Sequence, residues 1–123
     1  MKTSGLKNHS GFTLIEIVVA MFILTVALLS LVSVSVMVIK GNSFSKTMTT
    51  ATTLAKDKME ALKSTSYDSL TGGTDTAETI YTRTWTVTAG APAAGMKTVE
   101  LTVQWNWRGL SRNVVFRSVV SER

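Results

Sequence analysis

Residues 10–40 read "SGFTLIEIVVAMFILTVALLSLVSVSVMVIK", and this stretch decides what kind of fold the chain has room for. From Phe12 to Ile39 a single side chain, Glu16, carries charge. As an α-helix rising about 1.5 Å per residue, the run is about 42 Å long, more than the roughly 30 Å of bilayer hydrocarbon. The spacing therefore predicts a membrane-spanning helix over residues 12–39. A secretory signal has a shorter apolar region followed by small residues at a cleavage site. Here Lys40 and "GNSFSK" follow instead. Lys2 and Lys7 precede the run, and basic flanks favour the cytoplasmic side, which puts everything from Lys40 onward outside.

Glu16 does not fit a plain anchor. A charged side chain at the bilayer centre costs roughly 2.5–3.5 kcal/mol on insertion scales, and less near the interface. Two readings stay open on physical grounds. Either the carboxylate snorkels to the headgroups, or it meets a cationic partner in an assembly of helices.

Composition narrows the chemistry. The chain has 123 residues, no cysteine and one histidine, His9, which lies ahead of the apolar run. No disulfide or thiolate is available, and from Phe12 onward there is no imidazole either. Ser-His and Cys-His catalysis and the usual zinc sites are excluded there. The remaining carboxylates and lysines are scattered, with no acid–base pairing visible by spacing. We expect no enzyme, no cofactor and no metal site. Asp75 and Glu78 read as solvated loop charges, since calcium needs more oxygen ligands than two acids bring. The net charge of +5 drops by two without Lys2 and Lys7. It fits a solvated basic surface, or weak attraction of the head to DNA or another anionic polymer. No Lys/Arg block with interleaved aromatics marks a dedicated nucleic-acid module.

The stretch "SGFTLIEIVVAMFIL" resembles the class III signal of type IV prepilins and type II secretion pseudopilins, with Gly11, Phe12 and Glu16 at the family's spacing. The resemblance implies that a prepilin peptidase cuts between Gly11 and Phe12 and methylates the new amine of Phe12. It also implies that Glu16 pairs with the N-terminal amine of a neighbouring subunit during assembly. A buried carboxylate beside a cation recovers much of its desolvation cost, whereas an unpaired one does not. "TTATTLAKDKMEAL" and "VELTVQWNWRGLSRNVVF" resemble stretches of minor pilins of the PilV type and the pseudopilin I class. Unlike many major pilins, the chain has no Pro or Gly between Phe12 and Lys40 and no C-terminal disulfide. The implied partners are other pilin or pseudopilin subunits, the peptidase and an inner-membrane assembly platform. The implied location is the bacterial inner membrane with the head outside, then a filament in the periplasm or at the cell surface.

Past Lys40, Gly41 allows a bend and Asn42 or Ser43 a cap, yet a helical period resumes at once. Phe44, Met48, Ala51, Ala55, Met59 and Leu62 recur at steps of four and three, with Leu54 widening the stripe. Lys46, Lys56, Asp57, Lys58, Glu60 and Lys63 lie mostly off it. "STSYDSLTGGTDTAET" reads as a loop. "IYTRTWTVT" and "TVELTVQWNW" alternate as strands, the first with Tyr81, Arg83, Trp85 and Val87 on one face. The second sets Val99, Leu101, Val103, Trp105 and Trp107 against Glu100, Thr102, Gln104 and Asn106. "AGAPAAG" and "RGLSRN" read as turns, and Val114, Phe116, Ser118 and Val120 begin a third strand. Trp85, Trp105 and Trp107 read as buried against the helix, and Arg108, Arg112 and Arg117 as a basic edge.

The expected fold is α+β. It comprises a leader over 1–11, a transmembrane helix half over 12–39, an amphipathic half over 40–65, and a head over 66–123 with an antiparallel sheet of about three strands. The expected function is that of a minor pilin or pseudopilin. The alternative is a single-span binding or adhesion protein with a small β head, which needs neither leader removal nor Glu16.

Overall fold

The computed structural model describes Gly5 and residues 11–122; Lys2, Lys7 and His9, read above as the basic leader, lie outside these. One helix, α1 (Leu14–Ser64), is followed by a short 3-10 turn (Tyr67–Ser69) and four strands. These are β1 (Gly73–Ala77), β2 (Tyr81–Ala89), β3 (Met96–Trp107) and β4 (Leu110–Ser121), an antiparallel meander in the order β1-β2-β3-β4. The α+β architecture is as expected. The chain divides into two compact units, residues 1–41 and 42–123, described in turn.

In the first unit α1 starts where the sequence supplies a cap. Thr13 precedes the helix and its Oγ1 accepts the Glu16 N–H at 3.3 Å, satisfying one of the free donors of the first turn. From there every side chain to Gly41 is exposed within the chain, the large apolar ones included. Its four hydroxyls are nonetheless satisfied. Thr25, Ser30, Ser33 and Ser35 each donate to the carbonyl one turn back, at 2.8–3.0 Å. The helix assignment passes through Gly41 without a break, so Asn42 and Ser43 cap nothing.

In the second unit the rest of α1 covers one face of the sheet. Ala51, Ala55, Met59 and Leu62 are buried against Val99, Leu101, Val103 and Trp105, with Leu70 and Tyr81 closing the cluster. Of the expected helical stripe, Ala51, Ala55, Met59 and Leu62 are buried, Phe44 and Leu54 are half-buried, and Met48 stays exposed. Alternation along β3 is as read: the odd positions 99–105 are buried, while Gln104 and Asn106 face water. Tyr81 extends the contact by donating its hydroxyl to the Thr47 carbonyl at 3.3 Å. Phe44 meets Trp107 edge-on at 5.2 Å.

Two expectations are corrected. The sheet has four strands rather than three, because β1 forms inside the stretch read as a loop. That segment has no apolar alternation to announce it; it is recruited by what its partner carries. Gly73 lies opposite Trp85, and a Cβ there would come within 2.7 Å of the Trp85 ring, so only glycine lets the indole pack across β1. Two places on, Asp75 lies opposite Arg83. The second correction concerns "RGLSRN", where the turn is only Arg108-Gly109. Both residues have positive φ (52° and 77°), the signature of a two-residue hairpin, and β4 starts at once with Leu110.

Leu101, fully buried at the centre of the sheet, sets the head's stability. Leu101→Ala is expected to cost roughly 2–5 kcal/mol, whereas Thr86→Ala on the open face should cost less than about 1 kcal/mol. Urea unfolding of the full chain in detergent micelles, followed by tryptophan fluorescence, measures both.

Candidate processing and assembly site

The residues that the sequence singles out lie together at the start of α1. Residues 11–13 carry no regular secondary structure, and Gly11 and Phe12 are both exposed. A Cβ at Gly11 would meet nothing within 4 Å, so nothing in the described fold calls for glycine there. The bond between Gly11 and Phe12 is thus presented on open, non-helical backbone, the form in which a peptidase needs its substrate.

Glu16 follows in the first helical turn, flanked along its face by Phe12, Ile17, Ala20 and Met21. Its backbone N–H is capped, but among the described residues its carboxylate has no hydrogen-bond or salt-bridge partner. Every hydroxyl of the apolar half is closed on its own helix, and this carboxylate is the polar group left over. The positive end of the helix dipole favours a negative side chain in this turn. That eases the charge without neutralising it. The cap itself was missed in reading the sequence, although Thr13 and Glu16 at a spacing of three are a capping-box signature.

A second polar cluster lies in the head, where the sequence reading expected none. Asp75 is not a solvated loop charge. Its carboxylate accepts from Arg83 Nε at 2.6 Å and Nη2 at 2.8 Å, and from Lys58 Nζ at 3.0 Å. The Lys58 ammonium also sits 3.9 Å from the centre of the Trp85 ring. The trio ties α1 to β1 and β2. It leaves no open carboxylate for a cation, and no cluster of metal-binding side chains occurs among the described residues. The three arginines lie on or beside the edge strand β4, as read, but do not share one face. Arg117 pairs with Glu100 across the outer face, while Arg112 is opposite Trp105 on the helix-facing side. Of the tryptophans, Trp105 is buried and Trp85 and Trp107 pack on the core, as read.

Comparison with known families agrees with the geometry of the first site. The profile of the prokaryotic N-terminal methylation motif matches residues 6–32. No curated protein and no solved structure shows significant similarity to the chain. The match covers less than a quarter of the sequence and none of the head. It supports a type IV pilin-like prepilin signal and a type IV pilin-like subunit, with a methylated N-terminus and an apolar transmembrane helix. The motif marks structural subunits rather than catalysts. It implies in general terms processing by a prepilin peptidase, anchoring in a membrane and assembly with other pilin subunits.

The Asp75 trio gives the head a pH dependence. The Arg83 hydrogen bonds hold the Asp75 carboxyl below its ordinary 3.8, with Lys58 adding to this and partial burial opposing it. A lowered value means the contribution is fully present above pH 3.8 and fades as pH falls through the folded-state value. Asp75→Asn should therefore be less stable than wild type at pH 7, and the deficit should shrink steadily below pH 3.8. Urea midpoints of both proteins in micelles across that pH range read the difference.

Proposed function

We propose that the chain is a minor type IV pilin or pseudopilin, cleaved between Gly11 and Phe12, methylated on the Phe12 amine and assembled into a filament through residues 12–39. Before assembly it rests in the bacterial inner membrane as a single span, with residues 42–122 on the outer side. Other pilin or pseudopilin subunits, the prepilin peptidase and an inner-membrane platform are its partners. The minor subclass, of the PilV or pseudopilin I type, is supported by "LAKDKMEAL" on the helix and by the tryptophan-rich β3–β4 sequence.

One observation carries this reading: among the described residues the Glu16 carboxylate is without a partner, in an apolar helix half whose four hydroxyls all bond back to their own backbone. In hydrocarbon such a group is costly alone and tolerable beside a cation. The methylated amine of an adjacent Phe12 is a cation that cleavage itself creates. Only a neighbour at the right axial offset brings it within reach, so the charge pair fixes the register between subunits. A single-span adhesion protein gains nothing from the carboxylate.

Two substitutions test the proposal. Because the chain's own fold has room at residue 11, Gly11→Leu should fold and insert normally yet keep its leader. Intact mass should show wild type lacking residues 1–11 and carrying one added methyl group, and the variant unprocessed. Glu16→Ala should be processed and membrane-inserted but absent from sheared filaments, and Glu16→Gln should behave alike because the charge is what matters. Filaments that incorporate Glu16→Ala at the wild-type level would overturn the reading.

A further inference from the structure

The β3–β4 hairpin ends in a tip unlike the rest of the sheet. Cross-strand pairing runs without interruption from Met96 opposite Ser121 to Trp107 opposite Leu110, so the tip is stiff. It carries Trp107, Arg108, Leu110 and Arg112, and residues 107–113 include no acid. Arg108 stacks on the Trp107 ring at 5.2 Å and Arg112 on the Phe44 ring at 5.7 Å. Among the described residues neither guanidinium reaches a carboxylate, whereas Arg83 and Arg117 each have one. Leu110 is 55% exposed. A guanidinium stacked on a ring keeps its planar N–H edge for an oxyanion. Exposed leucine beside paired arginines and tryptophan is the composition of a surface that sits at a lipid headgroup layer.

The tip's position in the chain points the same way. It is held by Phe44, which follows Ile39, the last apolar residue of the span, by only five residues. The headgroup layer is about 5–7 Å thick on each side of the hydrocarbon. Five residues of chain, about 18 Å at most when fully extended, keep Phe44 and the tip within reach of that layer.

We infer that the β3–β4 tip is a membrane-surface contact in which Arg108 and Arg112 engage the phosphates of anionic phospholipids, while Trp107 and Leu110 enter the headgroup–acyl boundary. The inference rests on the reading that residues 12–39 cross a bilayer. Before assembly the contact restrains the head on the membrane, and extraction into a filament has to break it. Electrostatic attraction of this kind weakens with salt and with loss of anionic lipid.

The chain contains no cysteine, so a single introduced one takes a nitroxide label specifically. Full-length Leu110→Cys, Val26→Cys and Thr86→Cys, each labelled, are reconstituted in vesicles of phosphatidylcholine with or without phosphatidylglycerol. The apolar label at 110 stands in for the leucine. Collision with oxygen against collision with a water-soluble nickel chelate reports depth. With phosphatidylglycerol, the label at 110 should favour oxygen, and that at 86, on the open face, should favour nickel. Adding Arg108→Asn and Arg112→Gln should return the label at 110 to water, as should omitting phosphatidylglycerol or raising salt. Asparagine tolerates the positive φ of the turn, and circular dichroism checks that the sheet is kept.

A water-exposed label at 110 with a deep label at 26 would overturn the inference and leave the span intact. A shallow label at 26 would overturn the span reading and the inference with it. A depth at 110 indifferent to phosphatidylglycerol would remove the anionic lipid. A label shielded from both quenchers only at high protein density would assign the tip to a second copy of the chain.

Discussion

The first half of α1 buries nothing against its own chain, and the rest of the molecule has to be understood from that constraint. All four buried helical residues lie at or beyond Ala51, and between Leu14 and Ile39 an unbroken apolar surface is left uncovered. Something else must cover it. Bilayer lipid does so for the single chain, and other helices of the same kind do so in an assembly. Either environment forbids unsatisfied polar groups, which explains why the four hydroxyls of this half bond back to their own helix. The same helix therefore serves two solvents, with the change near Gly41.

Past that point the helix becomes the lid of a small core. Ala51 and Ala55, both fully buried, are small enough to bring the helix backbone close to the sheet, while Met59 and Leu62 fill the wider space beyond. With no disulfide available, the head is held by this packing, by long paired strands and by the Asp75 trio that links three elements. Each strand pairs with the next in sequence, so the connections are short and loop closure costs little.

What the sequence disclosed follows from which signals are local. The span, the helical stripe and the alternation of Val99, Leu101, Val103 and Trp105 are periodicities, and they were legible as such. β1 was not, because Gly73, Asp75 and their neighbours look like a loop until Trp85 and Arg83 are placed opposite them. That pairing is a tertiary fact that no window of sequence contains. The two-residue turn at Arg108-Gly109 was obscured by Ser111 and Asn113, polar residues that sit in a strand because one of its faces meets water. At the candidate site Gly11, Phe12 and Glu16 stood out through their resemblance to a prepilin signal, a motif that the family profile over residues 6–32 supports. The cap supplied by Thr13 was written there as well, but the charge of Glu16 drew attention from the backbone it belongs to.

That cap bears on why the acid's side chain is not engaged by its own helix start. A glutamate three residues past a threonine at a helix start commonly folds back on the cap residue, which would occupy its carboxylate. Here Thr13 caps the Glu16 N–H, while the return bond from the carboxylate to the Thr13 N–H is not made. The helix start is secured by the threonine hydroxyl, so the glutamate side chain is not needed to hold it. The helix start is thus held by Thr13 alone, and one turn on the Glu16 carboxylate makes no bond among the described residues.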